Sequence, residues 1–471
     1  MLVEAGPEVV RSQAARRFGE HEEIAETYPS GPDQPRWGQE DRFFEQAGPH
    51  PFGGVYEKLV GGTTWHWLGT CLRFLESDFR LATRYGVGVD WPISLNDLQP
   101  YYLEAEEEMG VAGAFLPALP ATYLDKQVAR AAQPWGYRVE VLPAARNSVP
   151  YQGRPACRGS ATCLPICPIG AKYDASVHVS KALQVGAKLW SQEAVTRIVS
   201  DGKRVLYLEL GSGQKLKADH YVLACNAVET PRLLLYSGHP NGNTGRYLMG
   251  MAGQISQALS PTPVWPFRSP QVVSGLTQFR DGDFRRRQAA LLVSIGNDGW
   301  PNGSPPKVVK RLIEHGLRGQ ELRTALRDHV SRQVLLVSSC EELPSYENAV
   351  GLSHLLDGRG IPRPRIHFKV GHYTQRALEE SVLIHARIFE SMKASAIHHY
   401  EESSDPAHIA GTCRMGRDPG DSVVDANLGC HHWKNLSILG SAVFPTVGSA
   451  PPTLTVAALA LRLARHLAQL L

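Results

Sequence analysis

Several features that would assign the chain to a specialised class are missing from its sequence. Acidic and basic residues nearly cancel, with 49 Lys and Arg against 46 Asp and Glu, and no long basic run occurs. The charge pattern therefore gives no support to a nucleic-acid partner. Cysteine is also scarce, with eight residues among 471, which excludes a scaffold stapled by disulfides.

Long apolar segments are missing as well. No stretch reaches the roughly 18 uninterrupted apolar residues that a membrane span needs, and residues 1–23 lack the apolar core of a signal peptide. We therefore expect the chain to contact a membrane only through a partner. What remains, with 43% hydrophobic and 20% charged residues, is the composition of a globular protein with a large core.

The order of apolar patterns predicts a mixture of helices and strands. A buried strand at Leu2–Val3 ends on Glu4, and an amphipathic helix is expected from about Asn96 to Met109, stopped by Gly110. A small antiparallel meander is expected near the middle of the chain, with a turn at Asp201–Gly202. The pattern of strand-like and helix-like segments in residues 265–400 differs from that of the preceding residues and indicates a second domain. The chain ends in an amphipathic core helix.

Three of the eight cysteines lie in one short loop, CRGSATCLPICPIGAK, at residues 157–172. Cys157, Cys163 and Cys167 are closely spaced, and the prolines around them prevent a continuous helix, so the thiols can converge. Iron–sulfur clusters are held by thiolates from loops of this kind, and three ligands favour a 3Fe–4S cluster. A zinc site completed by His178, and a disulfide plus one free thiol, are the alternatives that the spacing leaves open.

Motifs in the C-terminal segment are part of a pattern that extends over the whole chain. H-x-x-G-T-x-R-M-G begins at His408 and is followed by V-V-D, G-S-x-x-F-P-T and P-T-L-T. Together with VGGTTWHWLG, DWPISLNDLQPYY and ETPRLLLYS, these motifs resemble the glucose–methanol–choline (GMC) flavoprotein oxidoreductases. The cysteine loop resembles the branch with the large subunits of membrane-associated fructose, gluconate, sorbitol and FAD-dependent glucose dehydrogenases.

The resemblance implies a fold class and a division into domains. We expect an α/β fold with a discontinuous Rossmann-like FAD-binding domain, truncated at its N-terminus, and an antiparallel-sheet α+β substrate domain. The FAD-binding domain would comprise residues 1–85, 173–262 and 404–471. Residues 86–172 would form an insert with the cysteine loop, and residues 263–403 would bind the substrate.

The resemblance also implies roles for particular residues. His408 would be the general base that takes the hydroxyl proton while hydride passes from the substrate carbon to FAD. Glu4 would accept hydrogen bonds from the ribose of FAD. The remaining cofactor contacts would come from two glycine-containing turns and the start of the last helix: Gly61, Gly62, Thr63, Gly440, Ser441, Pro452 and Thr453.

In that branch the electrons leave through a 3Fe–4S cluster, which Cys157, Cys163 and Cys167 would hold here. The expected substrate is a sugar or polyol, and the expected partners are a cytochrome c subunit and a small companion subunit that carries the export signal. The resemblance therefore places the protein in the periplasm, attached to the inner membrane through its partners.

Two departures from the family pattern leave other interpretations open. The strand and G-x-G-x-x-G turn that seat the FAD pyrophosphate do not occur in the sequence, so we expect the 471-residue product alone to purify with little flavin. Pro451 occupies the position where many relatives carry Asn or His, and Ser449 is a weak candidate for a partner of His408. A catalytically inactive remnant or scaffold, and a zinc-stabilised binding protein without redox activity, are the alternative functions.

Some residues near these motifs have simpler interpretations. Core packing explains Trp65 and Trp67 as well as an active-site role does. Glu341 and Glu342, which end a predicted strand, are expected to form a solvated edge. The five cysteines outside the loop are expected to be buried thiols: Cys71, Cys225, Cys340, Cys413 and Cys430.

Overall fold

The computed structural model describes residues 1–21, 27–28, 43–53, 56–301, 303–400 and 408–470. The strands are β1 (Leu2–Val3), β2 (Glu45–Gln46), β3 (Glu140–Val141), β4 (Leu189–Trp190), β5 (Val195–Ser200), β6 (Val205–Leu210), β7 (Lys215–Leu216), β8 (Tyr221–Leu223), β9 (Met251–Leu259), β10 (Val272–Leu276), β11 (Leu291–Gly296), β12 (Gln333–Glu341), β13 (Ala349–Leu356), β14 (Pro362–His367), β15 (Ser395–His399) and β16 (Leu436–Ile438).

The helices are α1 (Arg11–His21), α2 (Glu76–Phe79), α3 (Leu81–Tyr85), α4 (Leu95–Met109), α5 (Tyr123–Ala132), α6 (Ser176–Gln184), α7 (Asn226–Tyr236), α8 (Pro305–Glu314), α9 (Gly319–Ser331), α10 (His372–Ser391) and α11 (Thr453–Leu470). Short 3-10 helices cover Gly62–Trp65, Gln133–Trp135, Gln278–Arg280, Asp283–Arg286 and Ser441–Val443. None of the helices in these described ranges is both long and apolar enough to cross a lipid bilayer.

The first part of the fold is built on parallel strand pairs. β1 pairs with β4, and β8 pairs with β16, both in parallel. The polypeptide passes from β8 directly into α7, the strand-to-helix order of an α/β protein. The predicted meander is present as the antiparallel sheet β5–β6–β7, in which Asp201 turns the chain and its carboxylate accepts the backbone N–H of Lys203. These elements confirm the α/β prediction.

The second part is a six-stranded antiparallel sheet in the order β15-β9-β12-β11-β10-β3. Helix α10 packs on this sheet, where His385 bonds the hydroxyls of Ser256 on β9 and Ser338 on β12. The antiparallel sheet expected for residues 263–403 is therefore confirmed. Strand β9, which lies within the range 173–262, also belongs to this sheet, and the domain boundaries stay a prediction.

Helices α4 and α11 begin and pack as their sequences predict. Ser94 caps α4, because its hydroxyl accepts the N–H of Asp97 while the Asp97 carboxylate accepts the N–H of Ser94. The helix ends at Gly110 with a φ of 66°, in the left-handed region that favours glycine. Its Tyr102 hydroxyl bonds Thr455 of α11, so the two helices form one buried layer.

The segment that begins at His408 lies where the two parts of the fold meet. Ile409 packs against both large apolar clusters, one around the parallel strands and one around the antiparallel sheet. Ala410 exchanges backbone hydrogen bonds with Met249, which lies two residues before the start of β9. Gly411 donates to the carbonyl of Ser441, so the same segment is also tied to the turn after β16.

Two predictions about exposure are wrong. Glu341 and Glu342 do not form a solvated edge, because both side chains are buried in the interior at 0% and 3% exposure. Cys225 is exposed, whereas the other four isolated cysteines are buried as expected. Both errors arise because the surroundings of a strand end are supplied by distant segments that local sequence does not reveal.

Candidate active site

The His408 segment is held in a constrained conformation. Thr412 has a φ of 65°, which is costly for a β-branched residue and persists only where the surrounding structure fixes the backbone. Its carbonyl accepts the N–H of Gly245 at 2.7 Å, and the N–H of Cys413 reaches the carbonyl of Ala442 at 2.9 Å. The segment is therefore fixed from both sides.

His408 has the protonation state that a general base needs. Its Nδ1 atom is buried and has no hydrogen-bond partner among the described residues. Burial lowers the pKa of the imidazole to about 4. The ring is therefore neutral at neutral pH and can accept a proton.

The two residues considered as a second member of the pair do not assist His408. The side chain of Pro451 neither donates nor accepts a hydrogen bond. Ser449 is fully buried and donates its hydroxyl to Asp78 at 2.8 Å, while its carbonyl accepts from Arg280 at 3.0 Å. The weak candidate Ser449 is therefore wrong, because its hydroxyl is already engaged by another part of the fold.

The turn at Gly61, Gly62 and Thr63 has the backbone that a close cofactor contact needs. Gly61 and Gly62 have φ values of 98° and 56°. A Cβ on Gly61 would lie 2.8 Å from the indole nitrogen of Trp65, whereas a Cβ on Gly62 would meet no atom within 4 Å. Thr63 is exposed, so this turn presents open space in front of Gly62. Trp65 itself is buried and donates to the carbonyl of Val60, which favours core packing.

The second expected contact surface surrounds the turn after β16. Gly440 has a φ of 114°, and a Cβ there would also meet no atom within 4 Å. Ser441 donates its hydroxyl to the carbonyl of Ile409 at 2.5 Å, which brings this turn against the His408 segment. Pro452 and Thr453 form the first turn of α11, whose free backbone N–H groups favour a negatively charged group.

Glu4 and Cys225 lie near each other at the ends of two parallel strands. Burial raises the pKa of the Glu4 carboxyl, and Lys58 opposes that effect. The Glu4 Oε1 atom accepts the N–H of Gly6 at 2.8 Å. Burial and the nearby Glu4 charge raise the pKa of the Cys225 thiol to about 11, although this thiol is exposed to solvent.

The three clustered cysteines are free thiols in proximity to one another. Cys163 and Cys167 are buried and Cys157 is half-buried, and none takes part in a disulfide. Burial raises the pKa of the Cys157 thiol, and Cys163 and Cys167 act in the same direction. The backbone N–H of Lys172 points at Cys167 Sγ at 3.5 Å. Thiols are the type of donor that iron–sulfur clusters take.

The side chains are nevertheless not arranged as an assembled metal site. Throughout the described ranges, no group of three or more His, Cys, Asp or Glu side chains is placed to hold a metal ion. The zinc alternative also loses its fourth ligand. His178 uses Nδ1 for the Tyr173 hydroxyl at 2.8 Å and Nε2 for the Glu108 carboxylate at 3.2 Å.

Two buried cations beside the cysteine loop were not predicted from the sequence. Lys172, within the CPIGAK motif, is 2% exposed, and Arg146 is 1% exposed. Burial lowers the pKa of the Lys172 ammonium to about 7, while Cys163 and Cys167 act in the opposite direction. The available signal was a lysine inside a cysteine motif, but two of the three carbonyls that its ammonium contacts, those of Trp65 and Trp67, lie elsewhere in the chain.

Comparison with known families gives a match over most of the chain. The family model described as GMC oxidoreductase matches residues 56–261 with its N-terminal part and residues 344–460 with its C-terminal part. The fructose dehydrogenase large subunit of Gluconobacter japonicus is 33% identical over 506 residues, covering 98% of this chain and 92% of that protein. The gluconate 2-dehydrogenase flavoprotein of Pantoea cypripedii is 24% identical, covering 85% of this chain and 77% of that protein.

Solved structures share the fold at lower identity. Pyridoxine 4-oxidase from Mesorbium loti has a TM-score of 0.64 at 20% identity, covering 99% of this chain and 93% of that one. An R554A variant of formate oxidase from Aspergillus oryzae RIB40 has a TM-score of 0.65 at 12% identity, covering 98% of this chain and 92% of that one. These similarities concern the fold alone.

Proposed function

The chain belongs to the GMC oxidoreductase family, and on that premise we propose that it is the flavoprotein subunit of a dehydrogenase for a sugar, sugar acid or polyol hydroxyl. The family comprises dehydrogenases and oxidases that act on alcohol groups. Relatives named for fructose and gluconate support a carbohydrate substrate. The observation that carries the proposal is the neutral His408 at the junction of the two parts of the fold, whose buried Nδ1 atom has no hydrogen-bond partner in the described part of the chain.

The family binds FAD, and the chain offers residues that fit parts of it. FAD would supply the acceptor for the substrate hydride. Open space before Gly62 and Gly440 fits the close approach of a planar ring, with Gly61, Thr63 and Ser441 as neighbours. Pro452 and Thr453 would direct the first turn of α11 at this ring, and Glu4 would bind the ribose of FAD. The pyrophosphate turn G-x-G-x-x-G is not among these residues.

His408 would remove the hydroxyl proton of the substrate. A neutral imidazole within hydrogen-bond reach of the hydroxyl accepts the proton as the C–H bond gives up its hydride. Burial keeps His408 neutral, and the fixed backbone of residues 408–413 holds the ring in place. The histidine works without a side-chain partner at Pro451.

We further propose that electrons leave through a 3Fe–4S cluster on Cys157, Cys163 and Cys167. Three free thiols on one loop support this proposal, as does the N–H directed at Cys167 Sγ. The expected partners are a cytochrome c subunit and a small companion subunit with the export signal, and the expected location is the periplasmic side of the inner membrane. The name "large subunit" of the Gluconobacter relative supports a multi-subunit assembly.

The substitution His408→Ala tests the proposed base. We expect turnover with an artificial electron acceptor to fall by roughly 10²–10⁴-fold, the usual contribution of a general base. His354→Ala, at an exposed position on β13, is the matched control and should retain wild-type turnover. A loss of only a few-fold in His408→Ala would remove this residue from its role.

A further inference from the structure

A cavity that the proposed function does not use lies where the loop directly before α4 meets a loop near the C-terminus. Its volume is about 300 Å³, at the lower end of the range for small-molecule sites. Three arginines and two aspartates line it: Arg80, Arg414, Arg417, Asp90 and Asp421. None of the residues proposed above as the base or as FAD contacts belongs to this lining, which we call the arginine cavity.

One side of the arginine cavity is apolar and fixed. Trp91 and Met415 line it and are 1% and 2% exposed. The indole N–H of Trp91 donates to the Thr446 hydroxyl at 2.8 Å, and its ring packs against Phe444 with 5.0 Å between the ring centroids. Because this surface is already in place, it can receive the C–H face of a small molecule with little reorganisation.

Arg414 is held in place while part of its guanidinium stays available. Its Nε atom donates to the backbone carbonyl of Asp421 at 2.8 Å, and its Cζ atom lies 3.6 Å from the centroid of the Tyr247 ring. Neither Nη atom has a hydrogen-bond partner in the part of the chain that the structure describes. A fixed guanidinium with two unused nitrogen atoms matches the two oxygens of a carboxylate.

Arg80 and Arg417 add two further positive charges at the same cavity. Among the described residues, neither side chain forms an ion pair or a hydrogen bond. The charge of Arg80 interacts at longer range with Asp97, which does not line the cavity. The guanidinium groups of the cavity are therefore charged donors without a carboxylate partner, and an anion from outside the chain could bind them.

The two aspartates of the lining limit the chemistry of such an anion. The Asp90 carboxylate accepts the N–H and the hydroxyl of Thr83, which fixes it, and the Asp421 carboxylate has no donor among the described residues. Three arginines and two aspartates leave one net positive charge, which complements a monocarboxylate better than a phosphate dianion. Both aspartates can accept further hydrogen bonds, so the ligand should also carry hydroxyl groups.

We propose that the arginine cavity binds a small polyhydroxy monocarboxylate, the chemical class of gluconate. The ligand's carboxylate would bind the guanidinium groups, and its hydroxyl groups would donate to Asp90 and Asp421. Its carbon chain would lie on Trp91 and Met415. This inference goes beyond the proposed function, because it concerns binding at a second site and requires no oxidation of the ligand.

The test is isothermal titration calorimetry of the protein with gluconate and with sorbitol, which has a six-carbon polyhydroxy chain but no carboxylate. We expect gluconate to bind at least tenfold more tightly than sorbitol. Arg80→Met and Arg417→Met should each weaken gluconate binding roughly tenfold or more, because each removes a donor of a charge-assisted hydrogen bond. Arg197→Met, at an exposed position on β5 outside the cavity, is the matched control and should bind gluconate as the wild type does.

The substitutions separate this site from every other place where gluconate could bind. Gluconate binding that neither Arg80→Met nor Arg417→Met weakens belongs elsewhere in the chain and overturns the proposal, as does the absence of gluconate binding. Equal affinity for gluconate and sorbitol overturns the assignment of a carboxylate ligand. If Arg80→Met does not fold, Arg417→Met decides alone, since Arg417 is exposed and forms no contact that folding requires.

Discussion

Burial controls the protonation of Glu342, a residue near the proposed site. The carboxyl of Glu342 is 3% exposed, and its Oε2 atom accepts the N–H of Gly250 at 2.9 Å. Its Oε1 atom is buried without a hydrogen-bond partner among the described residues. Burial raises the pKa of Glu342 from 4.5 to about 7, and the bond from Gly250 only partly opposes this. Glu342 therefore changes charge near neutral pH, next to the strand that bonds the His408 segment.

This raised pKa makes the stability of the protein depend on pH. Below the unfolded-state pKa, Glu342 is protonated in both the folded and the unfolded state, and its contribution to the free energy of unfolding is fully present. As the pH rises from about 4.5 to about 7, the unfolded carboxyl ionises first, so stability is lost over this window and stays constant above it. Each unit of pKa difference corresponds to about 1.4 kcal/mol, which sets an upper bound of about 3 kcal/mol.

Glu342→Gln removes the ionisation and tests this prediction. We expect the unfolding free energy of the variant, relative to wild type, to increase with pH between 4.5 and 7 by up to about 3 kcal/mol. Denaturant unfolding at a series of pH values measures it. The exposed Glu347 supplies the control Glu347→Gln, the same exchange at a surface position. Parallel pH curves for wild type and Glu342→Gln would show that Glu342 has an ordinary pKa.

At the scale of elements, a buried ionic network joins the two parts of the fold. Arg285 pairs with Asp78 at 3.0 Å and with Glu341 at 2.8 Å, and all three side chains are 0% exposed. Asp78 belongs to α2, Glu341 ends β12, and Asp78 also accepts the hydroxyl of Ser449. The network therefore fixes the chain directly before α11 relative to the antiparallel sheet.

Removal of Arg285 should be strongly destabilising. Arg285→Met leaves two buried carboxylates without their cation, and we expect the unfolding free energy to fall by about 3–5 kcal/mol. Denaturant unfolding of the protein measures this loss. Asp328→Asn breaks the partly exposed pair with Arg332 and should cost less than about 1 kcal/mol. A comparable cost for the two variants would mean that the buried network contributes no more than a surface pair.

Local chemistry explains which elements were predictable. Ser94, Asp97 and Gly110 specify the limits of α4 through contacts within a few residues, and the structure confirms them. The motif around His408 identified the family, and the predicted meander and antiparallel sheet are present. The network of Asp78, Arg285 and Glu341 was not predictable, because its members come from three segments that pair only after the chain has folded.

The contacts of Lys172 were likewise not predictable from the sequence, although this residue lies within a recognised motif. The lysine stands five residues after Cys167, yet its partners Trp65 and Trp67 lie about a hundred residues earlier. Sequence spacing indicated a thiol ligand set, but it carried no information on the burial of Lys172 or on its hydrogen bonds. Burial and long-range hydrogen bonding supply that information only in the folded chain.

At the scale of the whole molecule, the His408 segment lies between two cores. One apolar cluster surrounds the parallel strands with α4 and α11, and the other lies between the antiparallel sheet and α10. Ile409 contacts both, so the proposed base stands where a cofactor held by one part would meet a substrate held by the other. The division into a discontinuous FAD-binding domain, an insert and a substrate domain remains our proposal, with β9 assigned to the antiparallel sheet.

The most direct test of this account is anaerobic reduction of the flavin by substrate. The protein, supplied with excess FAD, is freed of unbound flavin and titrated with fructose, gluconate, sorbitol and glucose. We predict that at least one of them bleaches the absorbance of the bound oxidised flavin, and that His408→Ala slows this bleaching. If dithionite reduces the bound flavin while none of these compounds does, the proposed dehydrogenase activity is contradicted.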